Sequence, residues 1–197
     1  MNTVTEPKRS TFYGLWLLLA SFLGLGAAFA LTLDKLKALV EPDVAASCDF
    51  SVIVQCSTNL ASAQGALFGF PNPLIGLMAW PFVLVTAVLV LAKVKLPKFY
   101  WAGFLAGTTG ALVFVIWLMS QSIYVLGTLC PWCMVTWVAV IPTFLATLAH
   151  SGANGLFGAK AVAFFTKAKS YVPTVAILAF ATIAFLAQLR LDWIATL

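Results

Sequence analysis

The chain has 197 residues, of which 62% are hydrophobic and 9% charged, with mean hydropathy +1.03 and a net charge of +5. This excludes a soluble globular domain and makes the chain an integral membrane protein. The positive charge then reads as a topology signal, with no nucleic-acid partner implied.

Residues 1–11 form a polar tail with Glu6, Lys8 and Arg9. Residues 12–33 carry no charge, and their 22 positions suffice to cross about 30 Å of hydrocarbon. They lack the small-residue cleavage site of a signal peptide and are expected to stay as a span. A long connection, 34–73, holds Asp34, Lys35, Lys37, Glu41, Asp43 and Asp49 together with Cys48 and Cys56. Within it Ser57-Thr58-Asn59 predicts the cap of a short helix over 60–68, ended by Gly69 and Pro71. A second span follows at 74–92, with a kink expected at Pro81.

Residues 99–149 contain no Asp, Glu, Lys or Arg, a run of 51 that is too long for one span. It divides at Ser120-Gln121-Ser122, giving a third span at 99–119 and a fourth at 129–149. Gly103, Gly107 and Gly110 fit either close approach of a neighbouring backbone or mere small-residue filler. His150, the single histidine, is expected as an interfacial residue far from the cysteines. A loop at 150–170, with Lys160, Lys167 and Lys169, leads to a fifth span at 171–189 within a final segment 171–197. The seven tryptophans read as interface belts or packing.

Lys and Arg are unevenly divided. Eight of the 11 fall in the tail and in the loops after the second and fourth spans, with Glu6 as the one acid there. The opposite side holds Lys35, Lys37 and Arg190 against five acids. The positive-inside rule places the N-terminus in the cytoplasm, and all four cysteines then fall at the extracytoplasmic face.

Cys130-Pro131-Trp132-Cys133 opens the fourth span. Cysteines three apart at a helix start can close a small disulfide ring, and the helix N-terminus favours the thiolate that attacks disulfides. Pro131 suits the first turn, where its missing N–H costs little. At the head of a membrane helix this dithiol is within reach of a lipid-soluble quinone, while Cys48 and Cys56 face soluble proteins. Two pairs in series make a thiol–disulfide relay. The alternatives are a structural membrane protein with two static disulfides and a transporter of reducing equivalents from the cytoplasm. A four-cysteine metal site would need both pairs to converge tetrahedrally, so no metal is expected.

Four groups, in order and spacing, resemble the vitamin K epoxide reductase family, specifically its short bacterial members. They are Cys48 and Cys56 separated by seven residues, Ser62 six positions later, Gly69-Phe70-Pro71-Asn72-Pro73, and the Cys130–Cys133 motif. The resemblance covers roughly residues 12–149. It implies an all-α fold: four transmembrane helices around a quinone, a fifth helix, and a half-helix lid in the first extracytoplasmic loop. It also implies that Cys133 faces the quinone, Cys130 exchanges with the loop, Cys56 attacks Cys130, and Cys48 meets the outside partner. Asn72 falls where the family holds a quinone carbonyl, and Ser62, Phe68 and Trp137 are the other expected quinone contacts. Mammalian members carry Tyr where this chain has Trp137, which donates through its indole N–H but cannot accept.

The expectation is a quinone-linked disulfide oxidoreductase of a bacterial cytoplasmic (inner) membrane, using menaquinone or ubiquinone. It would reoxidise a secreted or periplasmic thioredoxin-fold (DsbA-like) thiol oxidase. With no fused thioredoxin-like domain before Leu197, that partner is expected to be a separate protein.

Overall fold

In the computed structural model, residues 10–41, 43–192 and 194 are described. The tail with Glu6, Lys8 and Arg9 lies outside them, as do Trp193 and 195–197 at the C-terminus. Helix α1 (Ser10–Val40) is followed by a loop with α2 (Ser57–Ala61) and a 3₁₀ turn (Ala63–Ala66). Then come α3 (Pro73–Leu91), α4 (Lys98–Ser120) continuing as a π-helical turn (Gln121–Leu126), α5 (Pro131–Ala153), α6 (Ala159–Ala168) and α7 (Val172–Leu191). The described residues form no strand; a single parallel bridge joins Val54 to Leu129. Five helices are long and apolar enough to cross a membrane, so this is an all-α, multi-pass membrane protein.

Helix α1 runs past the charged positions Asp34, Lys35 and Lys37, where the sequence suggests a loop. Charges end the apolar span but do not break a helix, because Ala, Leu and Lys remain good helix formers. The polar triplet Ser120-Gln121-Ser122 likewise fails to break the third span. The chain winds on through a π-helical turn and stops at Gly127, whose φ of 68° needs the left-handed freedom of glycine. The fourth helix begins two residues later than expected, at Pro131, and extends to Ala153. The lysine-bearing connection after it contains a helix of its own, α6.

The core is a four-helix arrangement in which α1 packs on α3 and α5, and α4 packs on α5. Gly24 and Gly76 let α1 and α3 approach closely: a Cβ on Gly24 would run into the Trp80 ring, and one on Gly76 would lie 2.8 Å from Ala28 Cβ. The glycines of α4 do not act this way. Among the described residues nothing lies within 4 Å of a Cβ built at Gly103, Gly107 or Gly110, which favours small-residue filler over close approach. Helix α7 adds to the outside, burying Ala176 and Ala187.

His150 is 4% exposed and is not the interfacial residue expected. Its ring stacks on Tyr13 at 4.3 Å and lies 4.8 Å from Trp101, while Tyr13 Oη shares a 2.9 Å hydrogen bond with Thr147. The polar ring is accepted here because flat aromatic faces cover it. It stands seventeen positions after Cys133 along the helix, about 25 Å at the usual rise.

Candidate redox site

Four cysteines meet above the helix bundle. Cys48 and Cys56 form a disulfide, whereas Cys130 and Cys133 are free thiols. The Sγ atoms of Cys56 and Cys130 are 3.2 Å apart, and both residues are fully buried. Leu31, Leu60 and Trp132 surround them.

A short backbone ladder produces that approach. Leu129 donates its N–H to Ile53 O at 2.7 Å, and Gln55 donates to Leu129 O at 3.0 Å. Pairing Val54 with Leu129 delivers Cys56 and Cys130 to the same spot. The segment before Cys130 is pinned from below. Ser122 Oγ, on the π-helical turn, shares its proton between Thr128 O and Asn59 Oδ1, and Asn59 Nδ2 donates to Thr128 Oγ1 at 2.9 Å. Such contacts join residues 63 and 69 positions apart, so no local pattern announces them.

Cys130 is the N-cap of α5, and its sulfur accepts the Cys133 N–H at 3.3 Å. An N–H aimed at sulfur from the first helical turn steadies negative charge there. Pro131 occupies the first turn, as expected.

Asp49, absent from the sequence-based site, orders the loop. Its carboxylate accepts N–H groups from Cys56 at 2.7 Å and Ser57 at 3.0 Å, the Ser57 hydroxyl, and the Ala46 N–H at 3.3 Å. Asp49 thereby caps α2 from outside. The cap expected at Ser57-Thr58-Asn59 is not made: α2 starts at Ser57, with Cys56 as an N-cap whose side chain makes no cap bond. Partial burial pushes the Asp49 carboxyl up, but hydrogen bonds from Ser57, Cys56 and Ala46 outweigh it and hold the group below the usual carboxylate range. Its position beside Cys48 was the available signal.

The predicted short helix is also broken. Ser62 adopts extended backbone, donates to Asn59 O at 2.8 Å, and accepts the Gly65 N–H to start the 3₁₀ turn. Asn72 folds back onto this segment: its Nδ2 donates to Gln64 O at 2.6 Å and its Oδ1 accepts the Leu67 N–H at 3.2 Å.

Beneath the cysteines lies a cavity of about 220 Å³ between α1, α3, α4 and α5, roofed by the loop segment. Cys130, Cys133, Ser62, Asn72 and Trp137 all line it. Phe68 does not; it is 59% exposed, stacked near Phe70 and against Phe114, which does line the cavity. Trp80, Gln64 and Gln121 are further lining residues that the sequence did not single out. Trp137 is 6% exposed, lines the cavity and makes no hydrogen bond among the described residues, so its indole N–H has no protein acceptor there. A flat, mostly apolar molecule with polar carbonyls suits these walls, and a quinone has that character.

Fold and site together define a membrane protein that carries a disulfide and a dithiol in contact. The family model described as Vitamin K epoxide reductase family matches residues 15–148, and the chain belongs to that family. Membership implies a membrane, quinone-linked thiol–disulfide oxidoreductase. No curated protein matches the chain.

Proposed function

We propose that this protein is a quinone-dependent thiol oxidase that reoxidises an extracytoplasmic thioredoxin-fold protein. The observation that carries the reading is the 3.2 Å approach of Cys56 to Cys130 on the roof of a cavity that also receives Cys133. Static disulfides have no need of a third sulfur at that distance.

The steps follow from thiol chemistry. A thiolate of the reduced partner attacks Cys48, forming a mixed disulfide and releasing Cys56. The Cys56 thiolate attacks Cys130 of the oxidised CxxC pair, and Cys133 leaves. The second partner thiol then resolves the first mixed disulfide and frees Cys48. Cys48 attacks Cys56, restoring the loop disulfide and releasing Cys130. A bound quinone supplies the acceptor for the two electrons and protons left on Cys130 and Cys133. The Trp137 indole and the second N–H of Asn72 are the donors that would hold its carbonyls, while Ser62, whose proton goes to Asn59 O, would shape the roof above it and Phe68 would contribute through Phe114.

Cys48 is 3% exposed, so partner docking has to displace the loop that covers it. The charge bias supports a loop outside the cytoplasm with the N-terminus inside, and the setting we propose is the cytoplasmic membrane of a bacterium. The domain limits we propose are 12–149 for the catalytic unit and 171–197 for the fifth helix with its C-terminal tail.

The test is reoxidation of reduced thioredoxin by the purified full chain in detergent, with and without decylubiquinone. Oxidation should need both protein and quinone and vanish in Cys133→Ala. Quinone-independent oxidation, or none, would return the disulfides to a structural role.

A further inference from the structure

A carboxylate touches the loop disulfide without having a structural need to be there. Asp34, near the end of α1, is 5% exposed, and its Oδ2 lies 3.8 Å from Cys48 Sγ. The same oxygen accepts the Ser47 hydroxyl at 2.7 Å. No cation pairs with it among the described residues: the adjacent Lys35 points elsewhere, donating to Leu60 O at 2.7 Å. Burying a carboxylate without a counter-ion is expensive, so its retention beside the disulfide points to a task there.

We propose that Asp34 is the proton acceptor for Cys48, a catalytic residue acting when the loop disulfide re-forms. The inference rests on the relay set out above, in which Cys48 must attack Cys56 as a thiolate. In the disulfide Cys48 has no proton to give, and the 3.8 Å separation lies within reach of a weak S–H···O bond once the thiol exists. The step balances. The Cys48 S–H proton passes to Asp34 Oδ2, the Cys48 sulfur bonds to Cys56, the Cys56–Cys130 bond breaks, and Cys130 leaves as a thiolate. Asp34 Oδ1 is not sealed in, so the proton has a way out to the surface.

The other titratable groups around Cys48 are not placed for this task. The Asp49 carboxylate is taken up by Cys56, Ser57 and Ala46. Lys35 holds the Leu60 carbonyl, and Cys130 and Cys133 belong to the other half of the exchange. Ser47 donates to Asp34, which leaves that oxygen free to accept from sulfur on its other lone pair.

The experiment starts from fully reduced full-length protein in detergent, mixed with decylubiquinone and quenched in acid at intervals. Alkylation and mass mapping follow each disulfide. In Asp34→Asn, which keeps an acceptor for Ser47 but takes no proton, the Cys48–Cys56 bond should close about 10²-fold more slowly at neutral pH. The Cys56–Cys130 species should accumulate, with quinone-dependent oxidation of the CxxC pair unchanged. Above the ordinary thiol range, near pH 8.5, solvent removes the proton and the defect should shrink to about twofold. Ser47→Ala should close at the wild-type rate. Equal closure in Asp34→Asn, a defect that persists at high pH, or an equal defect in Ser47→Ala would each overturn the proposal. If wild-type protein forms no quinone-dependent disulfide, the oxidase reading itself fails, a result distinct from these.

Discussion

Asp49 Oδ1 accepts the backbone N–H of Cys56 at 2.7 Å, so one carboxylate fixes the sulfur that faces Cys130. Its several donors make it the keystone of the loop. Asp49→Ala should loosen the segment by about 2 kcal/mol, the worth of a charge-assisted hydrogen bond. Alkylation of Cys56 in reduced protein should quicken roughly 30-fold, at 1.4 kcal/mol per tenfold. An unchanged rate would mean that the backbone ladder alone holds Cys56.

The same group sets an acid limit. Because the Asp49 carboxyl is held below its ordinary range, it contributes stability that is complete above about pH 4 and lost as pH falls through the lower folded value. Hydrogen exchange across residues 46–57 should therefore stay protected at pH 4 and rise only in stronger acid. Asp49→Asn should flatten that dependence. A transition above pH 5 would require another group.

Quinone contact can be read from two side chains with different duties. Trp137→Phe removes an indole N–H that no described residue uses, together with part of a buried ring, and should raise the quinone concentration needed for half-maximal rate by at least about threefold, the effect of losing one hydrogen bond near 0.5–1.5 kcal/mol. Asn72→Ala also breaks the bonds to Gln64 and Leu67, so it should in addition increase proteolysis of the roof. If both variants behave alike, Asn72 contributes to binding only and its loop bonds are dispensable.

The α1–α3 contact predicts a contrast between glycines. Gly24→Val forces the Trp80 ring aside and should destabilise the bundle by about 1–3 kcal/mol. Gly103→Ala enters open space and should leave the midpoint of thermal unfolding unchanged or slightly raised. Equal losses at both sites would mean that α4 has a partner surface.

Much of this arrangement was legible because hydrocarbon imposes a severe rule: spans without charge had to be helices. The cysteine pairs were legible from spacing. What escaped was tertiary. Asn59, Ser122 and Thr128 look like ordinary turn residues, yet together they hold the segment before Cys130. Ser120-Gln121-Ser122 reads as a break because polarity is visible in sequence, whereas a wider helical turn that buries Ser122 is not. Asp34 looked like a boundary charge, and only the folded loop brings Cys48 to it.

The order of the relay is tested most directly by Cys48→Ala purified without reductant and mapped by mass. Cys56 is then a lone thiol 3.2 Å from Cys130, with nothing outside to resolve the bond it forms. The expected product is a Cys56–Cys130 disulfide with Cys133 free. A Cys56–Cys133 bond would exchange the roles of the two CxxC cysteines, and a free Cys56 beside a closed Cys130–Cys133 bond would contradict the relay altogether.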